Sequence, residues 1–191
     1  MIQMKREYNN IQALIKKNLK IKEHVTTQNL MNELKDVIYK GYFTKDEFLK
    51  MVMWKSPRPK NRYLSNLENK IIEISKKVFS TKFEKRRIEL LKQLKGISIP
   101  VASAILTLTD PKNYGVIDIR VWQVLYLYDS VKVKPTGRNF NFNNWYNYLM
   151  KLRYFAKKFG VKARDIERAI FLYHYKIQEG KLYDKGATAL R

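Results

Sequence analysis

Apolar residues recur at helical spacing along nearly the whole chain. Ile11, Leu14, Ile15, Leu19 and Ile21 fall close to a 3.6-residue period with lysines between them, which predicts a first helix. A second helix carries Leu30, Leu34, Val37 and Ile38, with Thr27 or Asn29 as its cap. Thr44–Glu47, Ser65–Glu68 and Thr81–Glu84 each place a hydroxyl three positions before a glutamate, ahead of a periodic apolar run. That spacing predicts capping boxes, in which the hydroxyl satisfies an amide of the first turn and the glutamate reaches back. The helical pattern continues over Val101–Thr109, from about Asp118 to Tyr128, and over about Asn143–Phe159 and Ala163–Glu179, punctuated by Gly160 and Gly180.

Two stretches interrupt it. Lys55-Ser-Pro-Arg-Pro-Lys-Asn-Arg62 has prolines at 57 and 59 that break a helix, and its four cations predict an exposed basic loop. Val131–Asn141, with Pro135 and Gly137, reads as a second long loop, and its Val131-Lys-Val-Lys run is the nearest thing to a strand. There is no internal repeat, and neither loop separates two self-sufficient cores. Residues 1–191 therefore read as one all-α, multi-helix domain.

Composition narrows the chemistry. With 45% apolar residues, 7 Gly and 5 Pro in 191 positions, the chain has material for a core and is not dominated by disorder. It has no cysteine, which excludes disulfides, thiolate zinc sites, a Cys-bound iron–sulfur cluster and a cysteine nucleophile. Its two histidines, His24 and His174, lie too far apart in sequence to suggest a metal site, so no metal is expected. Carboxylates, hydroxyls, lysines and arginines remain.

Charge adds a partner. Lys and Arg number 39 against 17 Asp and Glu, a net +22, divided 23 to 10 up to Lys95 and 16 to 7 beyond it. An excess spread over the whole body calls for a polyanion, nucleic acid first and an anionic membrane surface second. The first residues contain no apolar targeting segment, and no run approaches the roughly 18 apolar residues of a membrane helix. A soluble intracellular protein of the cytoplasm or nucleoid is the expectation, monomeric and without a membrane partner.

Residues 94–124 stand apart. A helix ending at Leu94, a turn at Gly96 and a Pro100 suited to the first turn of the next helix predict two helices joined by a very short hairpin. The backbone amides of Lys95, Gly96, Ile97, Ser98 and Ile99, with the following helix N-terminus, suit a phosphate oxygen. Ala102, Ser103 and Ala104 are small enough for close helix packing. Val116-Ile117-Asp118 then delivers one carboxylate, between apolar neighbours, at the mouth of another helix. An aspartate there is also what a plain helix N-cap looks like, and one residue can be both.

This segment resembles the helix-hairpin-helix DNA glycosylase superfamily, whose hairpin reads roughly Leu-Pro-Gly-Val-Gly followed by a two-residue step and Thr-Ala. The matching positions are Leu94, Gly96, Ile97 and Ala102. In the endonuclease III branch a catalytic lysine follows the hairpin and an aspartate follows it by eighteen positions; here those positions hold Pro100 and Asp118. Asp118-Ile-Arg-Val-Trp122 is also similar to the Asp-Val-His-Met-Trp string of the 8-oxoguanine branch. The likeness covers residues 94–124 and departs at Pro100 and at Ser98, where a second glycine is usual.

The resemblance implies a base-excision repair glycosylase that hydrolyses the N-glycosidic bond of a damaged or mispaired base in double-stranded DNA. Asp118 is its implied catalytic carboxylate. Pro100 in the lysine's place implies no lysine-dependent strand cleavage from the hairpin. A monovalent cation held by hairpin carbonyls is likewise an implication of the family, with no iron–sulfur cluster. Arg120 is expected to contact DNA, and Trp54 and Trp122 to flank the base pocket. Against this stand two other readings: a non-catalytic helix-hairpin-helix nucleic-acid-binding protein whose Asp118 only caps a helix, and a basic scaffold or membrane-surface protein.

Overall fold

A computed structural model describes residues 5–178, and those residues fold as eleven helices. They are α1 (Ile11–Asn18), α2 (Val25–Glu33), α3 (Val37–Lys40), α4 (Lys45–Lys55), α5 (Lys60–Leu64), α6 (Glu68–Ser80), α7 (Glu84–Leu91), α8 (Ile99–Thr109), α9 (Ile119–Leu127), α10 (Phe142–Phe159) and α11 (Ala163–Ile177). No strand occurs among the described residues, so the Val131-Lys-Val-Lys run stays irregular. None of their helices is long and apolar enough to cross a membrane.

The helices form two groups around one core. α4 packs on α5, α6 and α8, and α7 on α6 and α8; the other group joins α1, α9 and α10 to α11. α8 is the central element, with every residue buried except Pro100. A helix apolar on all sides belongs in such a place. Its hydroxyls are satisfied within the helix: Ser103 donates to the Pro100 carbonyl at 2.8 Å, and Thr107 to that of Ser103 at 2.7 Å. Glu23, tied to Arg164 and Arg168, fastens the α1–α2 connection to α11 through ion pairs whose side chains are all at most 10% exposed.

Helix starts follow the sequence only in part. Thr44 and Glu47 form the expected capping box. Ser65 instead closes α5, donating to the Arg62 carbonyl at 2.9 Å, and α6 begins at Glu68 after an uncapped Leu67. Thr81 ends α6 and leaves α7 to begin after Phe83, because Glu84 is taken elsewhere: it accepts from Tyr114 Oη at 2.9 Å and from Arg153 at 2.6 Å. The cap of α2 is His24, not Thr27 or Asn29. α7 stops at Leu91, before the expected Leu94. The 55–62 stretch is no simple exposed loop either. Lys55 is the buried last residue of α4, and Lys60 already starts α5. α11 spans Ala163–Ile177; the expected end at Glu179 and Gly180 lies outside the described residues.

Candidate functional site

α7 and α8 are joined by the turn 92–98, and Gly96 makes it. Its φ is +87°, and a Cβ there would sit 2.8 Å from two carbons of the Tyr63 ring, so both backbone and space require glycine. Asn66, buried at 4% exposure, holds the turn from behind. Its Oδ1 accepts from the Lys95 amide at 2.7 Å while its Nδ2 donates to the Lys95 carbonyl at 3.1 Å. Lys95 and Ser98 are exposed. Ile97 and Ile99 bury their side chains in the core, and the Ile97 amide, expected to face a phosphate, donates instead to the Leu94 carbonyl at 3.3 Å. The Ile99 and Val101 amides lie in the first turn of α8, outside the intrahelical ladder. A cleft of about 580 Å³ opens between α5 and this turn, with Ser56, Arg62, Lys92 and Lys95 among its lining.

Asp118 sits where the two helix groups meet. The segment leading to it is clamped on both sides: the Ile117 amide donates to Ser103 Oγ at 3.1 Å, and Tyr148 Oη donates to the Val116 carbonyl at 2.9 Å. Gly115 precedes it because a Cβ would come within 2.4 Å of Leu152 Cδ1. Asp118 then caps α9, its Oδ1 accepting from the Val121 amide at 3.1 Å. Its Oδ2 lies 3.5 Å from Nζ of Lys55, the end of α4. The carboxylate side chain is 15% exposed and the lysine 6%. Because Ser103 is one turn into α8, the helix that follows the Gly96 turn also fixes the approach to Asp118.

The surroundings are unusually charged for a core. Glu167, buried on α11, pairs with Arg164. Burial, and after it the neighbouring Asp118, push the Glu167 carboxyl up against the opposing pull of Arg164. Burial opposes the charge of Glu23 as well, yet Arg164 and Arg168 outweigh it and hold that carboxyl below the usual range. Burial raises the Tyr148 hydroxyl well above its ordinary value, and Glu167 and Asp118 add to this. His174 is depressed to about 4 by burial first and by Arg120 second, with Asp118 pulling the other way.

Two residues take up positions different from those expected. Arg120 is not presented to a phosphate: its guanidinium stacks 3.7 Å from the Tyr175 ring centre and donates to His174 Nδ1 at 3.2 Å and to Gln178. Trp122 is 1% exposed, packs on Phe140 and donates to the Val133 carbonyl at 3.0 Å, so it is core and presents no face to a base. Trp54 is half-buried; its Nε1 donates to Thr27 at 3.1 Å and the Arg164 guanidinium lies over its ring at 5.6 Å. Sequence reasoning missed Lys55, taken for a loop cation, and Asn66 and Glu167 altogether. The apolar run Met51–Trp54 just before Lys55 was the one available signal that it enters the core.

The arrangement offers a carboxylate with one oxygen committed to a helix cap and the other beside an amine, near a backbone turn with exposed cations. Among the described residues no group of three or more His, Asp or Glu side chains is placed to hold a metal ion. The chain matches no protein-family model, and neither a curated protein nor a solved structure is significantly similar to it.

Proposed function

We propose that the protein is a DNA N-glycosylase that grips duplex DNA through the 92–98 turn and removes a damaged or mispaired base using Asp118. The observation that carries this reading is the coupling of two features. A glycine turn with cationic flanks and a partly exposed carboxylate are joined by one rigid helix, α8, through the Ser103–Ile117 bond. The spacing from Pro100 to Asp118 gives the turn its reading as the hairpin of a helix-hairpin-helix motif.

The chemistry follows from charge. Loss of the base leaves positive charge on the sugar ring, an oxocarbenium-like transition state. A carboxylate beside C1′ stabilises that charge and orients or deprotonates the attacking water. The target base must first leave the stack. Trp54 is the aromatic side chain nearest in sequence to Lys55 that keeps some exposure, and it flanks the base pocket in this reading. The amides of Gly96 and Ser98 and of the α8 N-terminus hold a phosphate in this reading, those of Lys95 and Ile97 being spent on Asn66 and the Leu94 carbonyl, while Lys92 and Lys95 add sequence-independent, salt-dependent affinity. Pro100 carries no amine, so no lysine nucleophile stands at the position where the endonuclease III branch has one.

The test is base release from a panel of duplexes, each bearing one damaged or mispaired base, scored by alkaline cleavage of the resulting abasic site. Wild type is expected to release base from one class, and Asp118→Asn to bind the same duplex without releasing it. Asparagine keeps the N-cap, so the variant isolates the charge. A cap bond and an ion pair are also what a purely structural aspartate makes. That favours a non-catalytic nucleic-acid-binding protein as the second reading, and binding without base release by either protein would decide for it.

A further inference from the structure

α10 turns its apolar side to the core and leaves the other to solvent. Trp145, Tyr148, Leu149 and Leu152 are buried, and Tyr148 meets the Val116 carbonyl on the approach to Asp118. The opposite face points away from that segment. It carries Asn143, Tyr146, Asn147, Met150, Tyr154 and Lys157, neighbours on the outer side of a helix with 3.6 residues per turn. Tyr146 is 38% exposed and Tyr154 59%. They stand about 12 Å apart along the axis, with Met150 midway. The Tyr146 ring is stacked on that of Phe142, with centres 5.6 Å apart and planes at 23°. Lys158 lies 5.8 Å from the centre of the Tyr154 ring.

The charge here has one sign. Between Asp129 and Asp165 the chain has nine Lys and Arg and no acidic residue, the longest such interval in the sequence. α10 contributes Lys151, Arg153, Lys157 and Lys158. Arg153 is committed to Glu84, whereas Lys157 and Lys158 are exposed. Rings beside ammonium groups, with no carboxylate among them, suit a polyanion that also presents flat apolar faces. A single strand of nucleic acid is both. A duplex is not, because its bases are already stacked on one another. A second copy of the chain would set the same cations against themselves. A membrane surface is served by an outward apolar face, and here the apolar side is in the core while two asparagines lie among the exposed rings.

We infer that the outer face of α10 is a second nucleic-acid surface, which binds a single strand by stacking bases on Tyr146 and Tyr154 while Lys157 and Lys158 meet its phosphates. Stacking on a ring tolerates every base and an ammonium–phosphate contact reads none, so the surface binds without sequence preference. It is separate from the 92–98 turn and from Asp118, and it does not depend on the glycosylase reading.

The probe is a labelled oligothymidine strand of about a dozen nucleotides, titrated with the full-length protein and followed by fluorescence polarisation. Wild type should bind it, and should bind an oligouridine strand as well, because neither a ring face nor an ammonium reads a 2′-hydroxyl. Tyr146→Ala and Tyr154→Ala should each weaken binding roughly 5- to 100-fold, and Tyr146→Phe and Tyr154→Phe, which keep the ring, should not. Lys157→Gln should flatten the dependence on salt. Affinity for a duplex should be the same in the alanine variants as in wild type. A bromodeoxyuridine strand photocross-linked to wild type should map to Tyr146 or Tyr154, a result independent of how any variant folds. Cross-links confined to other segments, alanine variants that bind the strand as tightly as wild type, or equal losses on strand and duplex would overturn the inference. Phosphatidylserine vesicles that displace the strand, and whose own binding falls in the alanine variants, would assign the face to a membrane and overturn it too.

Discussion

His174 joins the helix that carries Asp118 to α11, and its hydrogen bonds leave it a single comfortable protonation state. Arg120 has only donors, so the Nδ1 it meets at 3.2 Å must be the accepting nitrogen. The proton is then on Nε2, which donates to Gln123 Oε1 at 2.9 Å. A second ring proton would face a guanidinium in a site with no solvent exposure. Burial and Arg120 accordingly lower the pKa from 6.5 to about 4, against a partial pull from Asp118. The unfolded chain takes up the proton near 6.5 and the folded one only near 4. Between these values the unfolded state binds more protons, so stability rises with pH across that window. The contribution is complete above pH 6.5, falls away as the pH drops towards 4, and is lost below it. At 1.36 kcal/mol per pH unit it amounts to about 3 kcal/mol.

The measurement is urea denaturation of wild type and His174→Gln at several pH values from 7 to 4. Glutamine retains hydrogen-bonding capacity and cannot titrate. Glu167, whose carboxyl burial pushes up, acts in the opposite sense, gaining stability as the pH falls. Taking the difference between the two proteins removes that shared contribution. The advantage of wild type over the variant should shrink by about 3 kcal/mol over the window, with a slope no steeper than one proton. A difference that stays constant from pH 7 to 4 would refute the reasoning, as would an NMR titration of His174 in the folded protein with a midpoint near 6.5.

Two further perturbations address the turn. Gly96→Ala forces a Cβ into left-handed backbone, which costs about 1–2 kcal/mol before the Tyr63 ring is displaced. Its denaturation midpoint should fall and its affinity drop alike for duplexes of any sequence; an unchanged midpoint contradicts the geometry. Asn66→Ala strips both partners from the Lys95 peptide groups and should cost about 1–3 kcal/mol. Hydrogen exchange should speed up at the Lys95 amide while the interior of α8 stays protected, and uniform loss of protection would contradict a local role.

The fold was legible where one interaction decides an element and hidden where several compete. The periodicity marked α8 to within two residues of its start, because an apolar helix has nowhere to go but the core. Ser65 and Thr81 had the spacing of caps and did not become them. Glu84 had a better use in neutralising Arg153 and accepting from Tyr114, partners 69 and 30 positions away in the chain. No local rule contains such partners. The site divides the same way. Asp118 and Gly96 were readable because their constraints are local: a cap and a positive φ. Asn66 and Glu167 act on segments 29 residues away and on another helix, which spacing does not encode. Arg120 misled for a related reason, since a cation with aromatic neighbours on α11 gains more from Tyr175 than from solvent.

The placement of Asp118 bears on how, in the proposed function, one carboxylate would both hold the fold and act on a ligand. Four elements converge on it or on the two residues before it: α8 through Ser103 and the Ile117 amide, α10 through Tyr148 and the Val116 carbonyl, α9 through the cap and α4 through Lys55. The first two hold the backbone that leads to Asp118, and the cap bond to Oδ1 orients its side chain. Oδ2 faces the lysine at 3.5 Å, longer than a tight ion pair. Fixing a carboxylate by one oxygen preorganises the other, and electrostatic stabilisation of a charged transition state depends on that kind of fixed dipole. In the proposed function the cap therefore supplies the rigidity that the chemistry would need.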